Sequence, residues 1–509
     1  MSILKIKLLK APIVYYDIFQ LDDLIINISS IGTQAIFILI ISFILLILLL
    51  YKSIKNQNKQ KYRGMTFVII LCIFLFCFYT VDPVKNYLKK HNIKHKWNSD
   101  IYVKSQKNGL ITFFIQSIYF SNHLQKPENY SLELAKEFLD DYEKHNNSKN
   151  NISKTVKPDN IIILLIESFQ DVQKLPWKSN VEITPAYNKM KASGYSGELI
   201  SPVFGGKSVN SEFELLTSFS SVFTPYGSIP YKDIVKQNLP SIARQLSSYD
   251  YVSNVIQVVE MKGYGYKSIY NYLGFDNKFS LSKHDKDIDL DPTGRFGSSS
   301  AISKQIIKLI EDQEKSFIFA FPNSSHSPWL LSDYPENKIL LDKSTLKIDE
   351  KNEIIAYYNA LSHVDKLISD LYNYSIESNE KTVILIIGDH QPSLKASYNN
   401  SINSSPLMQK VQNHLVPYLF WSNYNLKYPV TNEQFTSMNL ISTKLLKILD
   451  LKATGFYKFI QEINETYNAF SFVLLRNNKI IDTYSQWSNK IVNQYNMIQY
   501  MYLSGDFKP

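Results

Sequence analysis

Two uninterrupted apolar runs stand near the start of the chain, Ala35 to Leu50 (AIFILIISFILLILLL) and Met65 to Val81 (MTFVIILCIFLFCFYTV). Neither carries the polar stripe that a helix on the surface of a globular core shows, so both read as helices surrounded by lipid. Each is near the lower limit of about 17 residues that crosses a bilayer. The loop between them, YKSIKNQNKQKYRG, is dense in Lys and Arg. By the positive-inside rule that loop is cytoplasmic, and everything after Val81 is outside. The same rule places residues 1–30 outside, although no signal-peptide pattern precedes the first run.

From Pro83 to about Lys157 the pattern is polar and helix-like and ends near HNNSKNN, which predicts a linker between membrane and main domain. From Asn160 onward, short apolar runs alternate with helical patterns: IIILLI (161–166), SFIFAF (316–321), TVILII (382–387) and VPYLFW (416–421). Fully apolar strands separated by helices predict a mostly parallel sheet covered on both faces. The expected organisation is an N-terminal segment (1–33), a two-helix membrane region (34–81), an extracytoplasmic helical linker (82–158), a large α/β domain (159–455) and a C-terminal extension (456–509). Residues 160–455 are expected to fold without the rest.

Composition narrows this picture only a little. With 20% charged and 14% aromatic residues, the chain has a folded composition. The net charge of +9 suits nucleic acid or an anionic membrane surface, and the apolar runs decide for the membrane. Both cysteines, Cys72 and Cys77, sit inside the second run, which removes thiolate nucleophiles and Cys-based metal sites from the downstream domain.

In parallel sheets ligands bind where the strands end. After IIILLI comes Glu167-Ser168, after SFIFAF comes PNSSHSPW with His326, and after TVILII comes Gly388-Asp389-His390. Each alone reads as a turn or cap. Jointly they form an oxygen-and-nitrogen cluster suited to Mn²⁺, Mg²⁺ or Zn²⁺. A fourth element, Gly205-Gly206-Lys207-Ser208, precedes the helical pattern SEFELLTSF and places Ser208 at a helix N-terminus. That position suits a helix cap, and equally an alkoxide or a bound phosphate. It is not a P-loop, because Ser201 stands where that motif needs glycine.

Glu167-Ser168, GGKSxxSEFELLTSF, LGFD (273–276), SSHSPW and GDHQP occur in one order. In this the chain resembles the lipoteichoic acid synthase and membrane phosphoglycerol transferase family of the alkaline phosphatase/sulfatase superfamily, from about Asn160 to Leu451 and in the two spans ahead of a linker. The resemblance implies an α/β fold with a mixed, mostly parallel sheet and helices on both faces, preceded by two transmembrane helices. It also implies a membrane-anchored metal-dependent phosphotransferase with its catalytic domain outside the cytoplasmic membrane of a bacterium. Glu167, Ser208, Asp389 and His390 match the positions that hold one divalent ion, usually Mn²⁺. Ser208 matches the nucleophile, a threonine in the synthases, and His326 matches the histidine beside the transferred group. The implied partners are a phospholipid donor and a glycan or polymer acceptor, with no nucleic acid. The C/S-x-P-x-R element of the modified sulfatase nucleophile is missing around Ser208.

The resemblance weakens at the headgroup. The family's histidine, tryptophan and arginine fall, by spacing back from Gly274, at Gln257, Tyr264 and Tyr266. Lys262, Lys267 and Arg295 are the nearest cationic candidates. Phosphoglycerol transfer is the expected chemistry. Phosphoethanolamine transfer, with Tyr264 and Tyr266 as an aromatic wall, phosphodiester hydrolysis at the same site, and a catalytically silent sensor or scaffold are the alternatives.

Overall fold

The computed structural model describes residue 14 and residues 124–144, 156–225, 227–262, 265–285, 287–342, 345–396, 406–426, 435–483 and 490–507. Both apolar runs expected to span a membrane, and Tyr264, lie outside the described residues. Among the described residues no helix is long and apolar enough to cross a membrane.

The main element is an eight-stranded sheet built from β1 (Asn160–Ile166), β2 (Tyr195–Ile200), β3 (Val252–Gln257), β4 (Asn277–Ser280), β5 (Ser316–Phe321), β6 (Thr382–Gly388), β7 (Leu415–Ser422) and β8 (Phe435–Ser437). Their order is β4-β3-β5-β1-β6-β7-β2-β8. The five strands from β4 to β6 are parallel. β7 runs antiparallel between β6 and β2, and β2 pairs in parallel with β8. The sheet is thus mixed and mostly parallel. β1 lies at its centre, and alternation along it feeds two cores: Ile161, Ile163 and Leu165 enter one, Ile162, Leu164 and Ile166 the other.

The helices that matter here are α1 (Leu132–Lys144), α2 (Pro185–Ser193), α3 (Ser208–Thr217), α4 (Tyr266–Tyr272), α5 (Ser299–Asp312), α6 (Ile348–Glu377), α7 (Ile441–Ile448), α8 (Gly455–Thr466) and α9 (Lys490–Ser504). α2, α5 and α6 cover one face, with Met190, Ile306 and Leu361 in its core. α3, α4, α7, α8 and α9 cover the other, with Phe213, Tyr270, Leu445, Phe459 and Ile498. On α6 the buried Ile354, Tyr357, Tyr358, Leu361, Val364 and Ile368 follow the helical period and mark its inward stripe.

Two segments set apart in the sequence belong to this core. In the C-terminal extension, Phe456 packs on Phe219 at 4.8 Å between ring centres, and Gln499 bonds both the N–H and the carbonyl of Ser220, at 2.8 and 2.9 Å. At the end of the linker, Tyr142 of α1 packs on Phe459 at 4.7 Å and donates to Gln494 at 3.2 Å. Tyr130 donates to Asp506 at 3.0 Å. Residues 160–455 therefore share one core with the segments on either side. Phe456, Phe459, Ile460, Tyr495 and Ile498 are buried, and each contributes roughly 1.5–3 kcal/mol. Together they rival a typical net stability of about 5–15 kcal/mol.

Two predictions follow from this packing. A protein of residues 124–507 should melt in one cooperative transition by calorimetry, whereas residues 160–455 should aggregate or bind a hydrophobic dye without a transition. The second concerns Glu212 and Glu214, both fully buried on α3. Burial pushes the first up to about 7 and the second up to about 8 from the usual 4.5. The folded chain then holds protons that the unfolded chain has released between about pH 4.5 and 8, so stability falls as pH rises through that window. Melting temperature should decline from pH 5.5 to 8.5, and Glu214→Gln, which cannot ionise, should flatten that decline.

Candidate active site

The carboxyl ends of β1 and β6 are neighbours, paired from Asn160↔Thr382 to Ile166↔Gly388. Glu167 and Asp389 therefore leave the sheet side by side. The Asp389 N–H closes the ladder on Ile166 O at 3.1 Å. No residue larger than glycine fits at 388, where a Cβ would lie 2.5 Å from the Phe169 carbonyl oxygen. Ser168 bends the chain away in the left-handed region, at φ 50°, and its N–H donates to Asp389 Oδ1 at 2.6 Å. The His390 N–H donates to the same oxygen at 2.5 Å.

Ser208 arrives from the next layer. Gly205 and Gly206, at φ 66° and 151°, and Lys207, at φ 65°, make a turn that only glycine adopts without strain at the first two positions. The Gly205 N–H donates to Gln391 O at 3.1 Å, which fastens the turn beside His390. α3 then opens on Ser208, whose Oγ donates to Glu167 Oε2 at 2.9 Å and lies 3.2 Å from His390 Nε2. One turn on, Ser211 Oγ donates to the Asp389 carbonyl at 2.7 Å, joined by Ser201 Oγ at 2.5 Å.

The structure thus brings Glu167, Ser208, Asp389 and His390 into one cluster. One ligand atom from each of Glu167, Asp389 and His390 lies within 4.8 Å of the others, and all three residues are buried. His390 Nδ1 sits 3.0 Å from the Gln391 carbonyl, an acceptor that suits a proton on that nitrogen, and Nε2 faces the cluster. Asp389 Oδ2 is buried without a hydrogen-bond partner, 3.4 Å from His390 Nε2. An orphaned carboxylate oxygen, a second carboxylate and an imidazole lone pair suit a divalent cation.

The electrostatics agree. Burial is the largest influence on Glu167 and acts to raise it. The His326 and His390 imidazoles, with the Ser208 and Ser168 hydroxyls, nevertheless hold its carboxyl below the usual range. For Asp389, burial and then the nearby Glu167 charge push the carboxyl well up. Two carboxylates this close in a dry place do not both stay ionised unless a cation joins them.

The remaining candidates fall into two groups. His326 is half-buried on the loop after β5, near enough to Glu167 to help hold that carboxyl down. Arg295 holds that loop, donating to the His326 and Ser327 carbonyls at 2.9 and 2.8 Å. Its fork grips backbone in this arrangement. Gln257 and Tyr266, taken from sequence as headgroup residues, are both buried. Gln257 donates to Glu212, and Tyr266 lies flat on Tyr270, with ring centres 5.5 Å apart and planes 6° from parallel. Tyr266 therefore offers no open face as an aromatic wall.

Supporting residues escaped the sequence reading. Ser168 Oγ donates to Glu167 Oε1 at 2.9 Å, Ser325 Oγ donates to the Glu167 carbonyl, and the Tyr357 hydroxyl donates to the Ser168 carbonyl at 2.7 Å. Adjacency to Glu167 and His326 was the available signal for the serines. Tyr357, on α6, gave none.

A family model described as Sulfatase matches residues 159–451. Among curated proteins, the chain is 28% identical over 333 residues to a putative cyclic beta-1,2-glucan modification protein of Rhizobium meliloti (strain 1021), covering 63% of this chain and 50% of the relative. The chain spans about half the length of that relative. Among solved structures, it is similar to the Streptococcus pyogenes phosphoglycerol transferase GacH in complex with sn-glycerol-1-phosphate. That match has TM-score 0.62 and 23% identity, covering 75% of this chain and 96% of the other. It is also similar to the lipoteichoic acid synthase LtaP from Listeria monocytogenes, with TM-score 0.50 and 17% identity, covering 73% and 97%. At these identities the two structures establish the fold.

Calorimetric titration of the full chain with Mn²⁺ should give one ion per chain. Asp389→Asn and His390→Ala should weaken binding by at least about 10–100-fold, the loss typical of removing even a supporting group. His326→Ala should leave the stoichiometry intact. Unchanged binding in Asp389→Asn would contradict the assignment.

Proposed function

The chain belongs to the sulfatase family, and from that premise we propose that it is a metal-dependent phosphotransferase with Ser208 as nucleophile. It moves a phosphoglycerol-type headgroup from a phospholipid to an envelope glycan or polymer. The observation that carries this reading is the placement of the Ser208 hydroxyl, at the first residue of α3, between Glu167 at 2.9 Å and His390 at 3.2 Å. Family membership does not entail sulfate-ester chemistry, because Ser208 is followed by Val-Asn-Ser-Glu and lacks the motif of a modified nucleophile.

Serine is a weak nucleophile at its free pKa, and a phosphodiester repels it. A divalent ion would be held by Glu167, Asp389 and His390, and it would supply positive charge that counters both effects. The chain's own residues do the rest. Ser208 directs its proton at Glu167 Oε2 and keeps its lone pairs for phosphorus. The Oγ–P bond forms as the P–O bond to diacylglycerol breaks, and the departing alkoxide takes a proton, for which His326 is the donor at hand. The acceptor hydroxyl then gives its proton to the His326 imidazole that had lost one and attacks the same phosphorus, the Oγ–P bond breaks, and Ser208 Oγ takes back the proton passed to Glu167. The α3 N-terminus adds favourable potential for the anionic phosphoryl oxygens.

Phosphoglycerol is preferred over phosphoethanolamine because Tyr266 is turned inward on Tyr270. The donor is a lipid in this reading, which fits a chain with two apolar runs of spanning character ahead of the domain. The catalytic domain then works outside the membrane.

Purified full-length chain, supplied with Mn²⁺ and headgroup-labelled phospholipids, should release diacylglycerol from phosphatidylglycerol faster than from phosphatidylethanolamine. Ser208→Ala should lose turnover by at least about 10³-fold, as expected when a nucleophile acts with its supporting groups as a unit. Its melting temperature should fall only slightly. Turnover persisting in that variant would leave Ser208 as a residue that only ties α3 to Glu167.

A further inference from the structure

Gln257 and Tyr266, which spacing places at the headgroup, instead join a buried polar knot centred on Glu212. Glu212 lies one helical turn beyond Ser208 on α3, so the two share a helix face. Its Oε1 accepts from the Tyr270 hydroxyl at 2.7 Å, and its Oε2 accepts from Gln257 Nε2 at 3.2 Å. Gln257 Nε2 also lies 2.5 Å from the Tyr270 oxygen. Glu212, Gln257 and Tyr270 are all fully buried. Tyr266 lies over the Tyr270 ring, and Tyr231 meets Tyr266 edge-on at 6.3 Å between ring centres.

A carboxyl in such a place is expensive, and an apolar side chain of equal volume would fill the space at lower cost. What it adds is direction. The hydrogen bonds tie three separate elements, α3, the end of β3 and α4, at fixed distance and angle, which apolar contacts do not specify. Ser211 fastens the adjacent face of α3 to the Asp389 carbonyl. Two ties on neighbouring faces of one helix fix both its height and its rotation.

We propose that Glu212 is a positioning residue for the nucleophile: its tie to Tyr270 and Gln257 sets the rotation of α3, and so keeps Ser208 Oγ between Glu167 and His390. The proposal rests on Ser208 being the nucleophile. Displacing a reacting group by about 1 Å costs about 100-fold in rate, so a small turn of α3 is enough. The Glu212 carboxylate bonds Tyr270 and Gln257 rather than the metal-cluster side chains Glu167, Asp389 and His390, and metal binding should not depend on it.

The test uses the full chain with Mn²⁺ and a chromogenic p-nitrophenyl phosphodiester. The variants are Glu212→Leu, Glu212→Gln and Tyr270→Phe, each measured for melting temperature, metal stoichiometry, kcat and KM. Glu212→Leu should stay folded and bind one ion, with kcat lowered about 100-fold and KM changed less than about 3-fold. Glu212→Gln should recover kcat to within about 5-fold of wild type, since its amide oxygen still accepts from Tyr270. Gln257 can then turn its own amide oxygen, which has no partner now, toward the new N–H. Tyr270→Phe should lower kcat in the same direction by less.

A folded, metal-loaded Glu212→Leu with wild-type kcat overturns the proposal, as does Glu212→Gln no better than Glu212→Leu. Should Glu212→Leu fail to fold, unchanged kcat in Tyr270→Phe overturns it. A metal-loaded wild-type chain without turnover overturns the phosphotransferase reading itself, and this proposal with it.

Discussion

Two carboxylates and an imidazole share one dry corner at the end of a parallel sheet, and the rest of the site answers to that constraint. Glu167 and Asp389 meet because β1 and β6 are paired in register to their last residues. Burial and the Glu167 charge drive Asp389 well above the usual carboxylate range. The protein supplies partial relief. Two N–H groups hold one Asp389 oxygen, two hydroxyls and two imidazoles face Glu167, and one Asp389 oxygen is left without a partner. That remainder is the shape of a cation site, with His390 already turned to offer its free nitrogen.

Ser208, the proposed nucleophile, is placed by a different device. A turn of two glycines and a left-handed lysine delivers Ser208 to the start of a helix whose lower turns are locked into the core. Ser211 and Glu212 hold that helix from two sides, and Phe213, Leu215 and Leu216 bury its remaining surface. The Ser208 hydroxyl is therefore supported by an element locked into the core. The buried Glu212 and Glu214 on the same helix lower the tolerance of the fold to high pH.

Much of this was legible in the residues. The fully apolar runs became β1, β5, β6 and β7, because only a strand covered on both faces is apolar throughout. The polar residues that trail β1, β5 and β6 lie at one edge because parallel strands end together. β2 and β3 were hidden, as YSGELI and VSNVIQ mix polar and apolar positions. The antiparallel direction of β7 was hidden as well, since an apolar run does not state its sense. Gln257 and Tyr266 show a different limit: gap-free spacing carries over a position but not the direction of a side chain. The roles of α8, α9 and α1 in the core depend on long-range contacts such as Phe219–Phe456 and Tyr142–Phe459, and no local pattern announces those.

The central claim is that Ser208 carries the transferred group covalently. Rapid-quench mass spectrometry of the metal-loaded full chain, mixed with headgroup-labelled phosphatidylglycerol, tests it directly. The account predicts a labelled phosphoester on the peptide containing Ser208, formed before product and discharged on adding an acceptor alcohol. Steady diacylglycerol release with no label on that peptide at any time would contradict it.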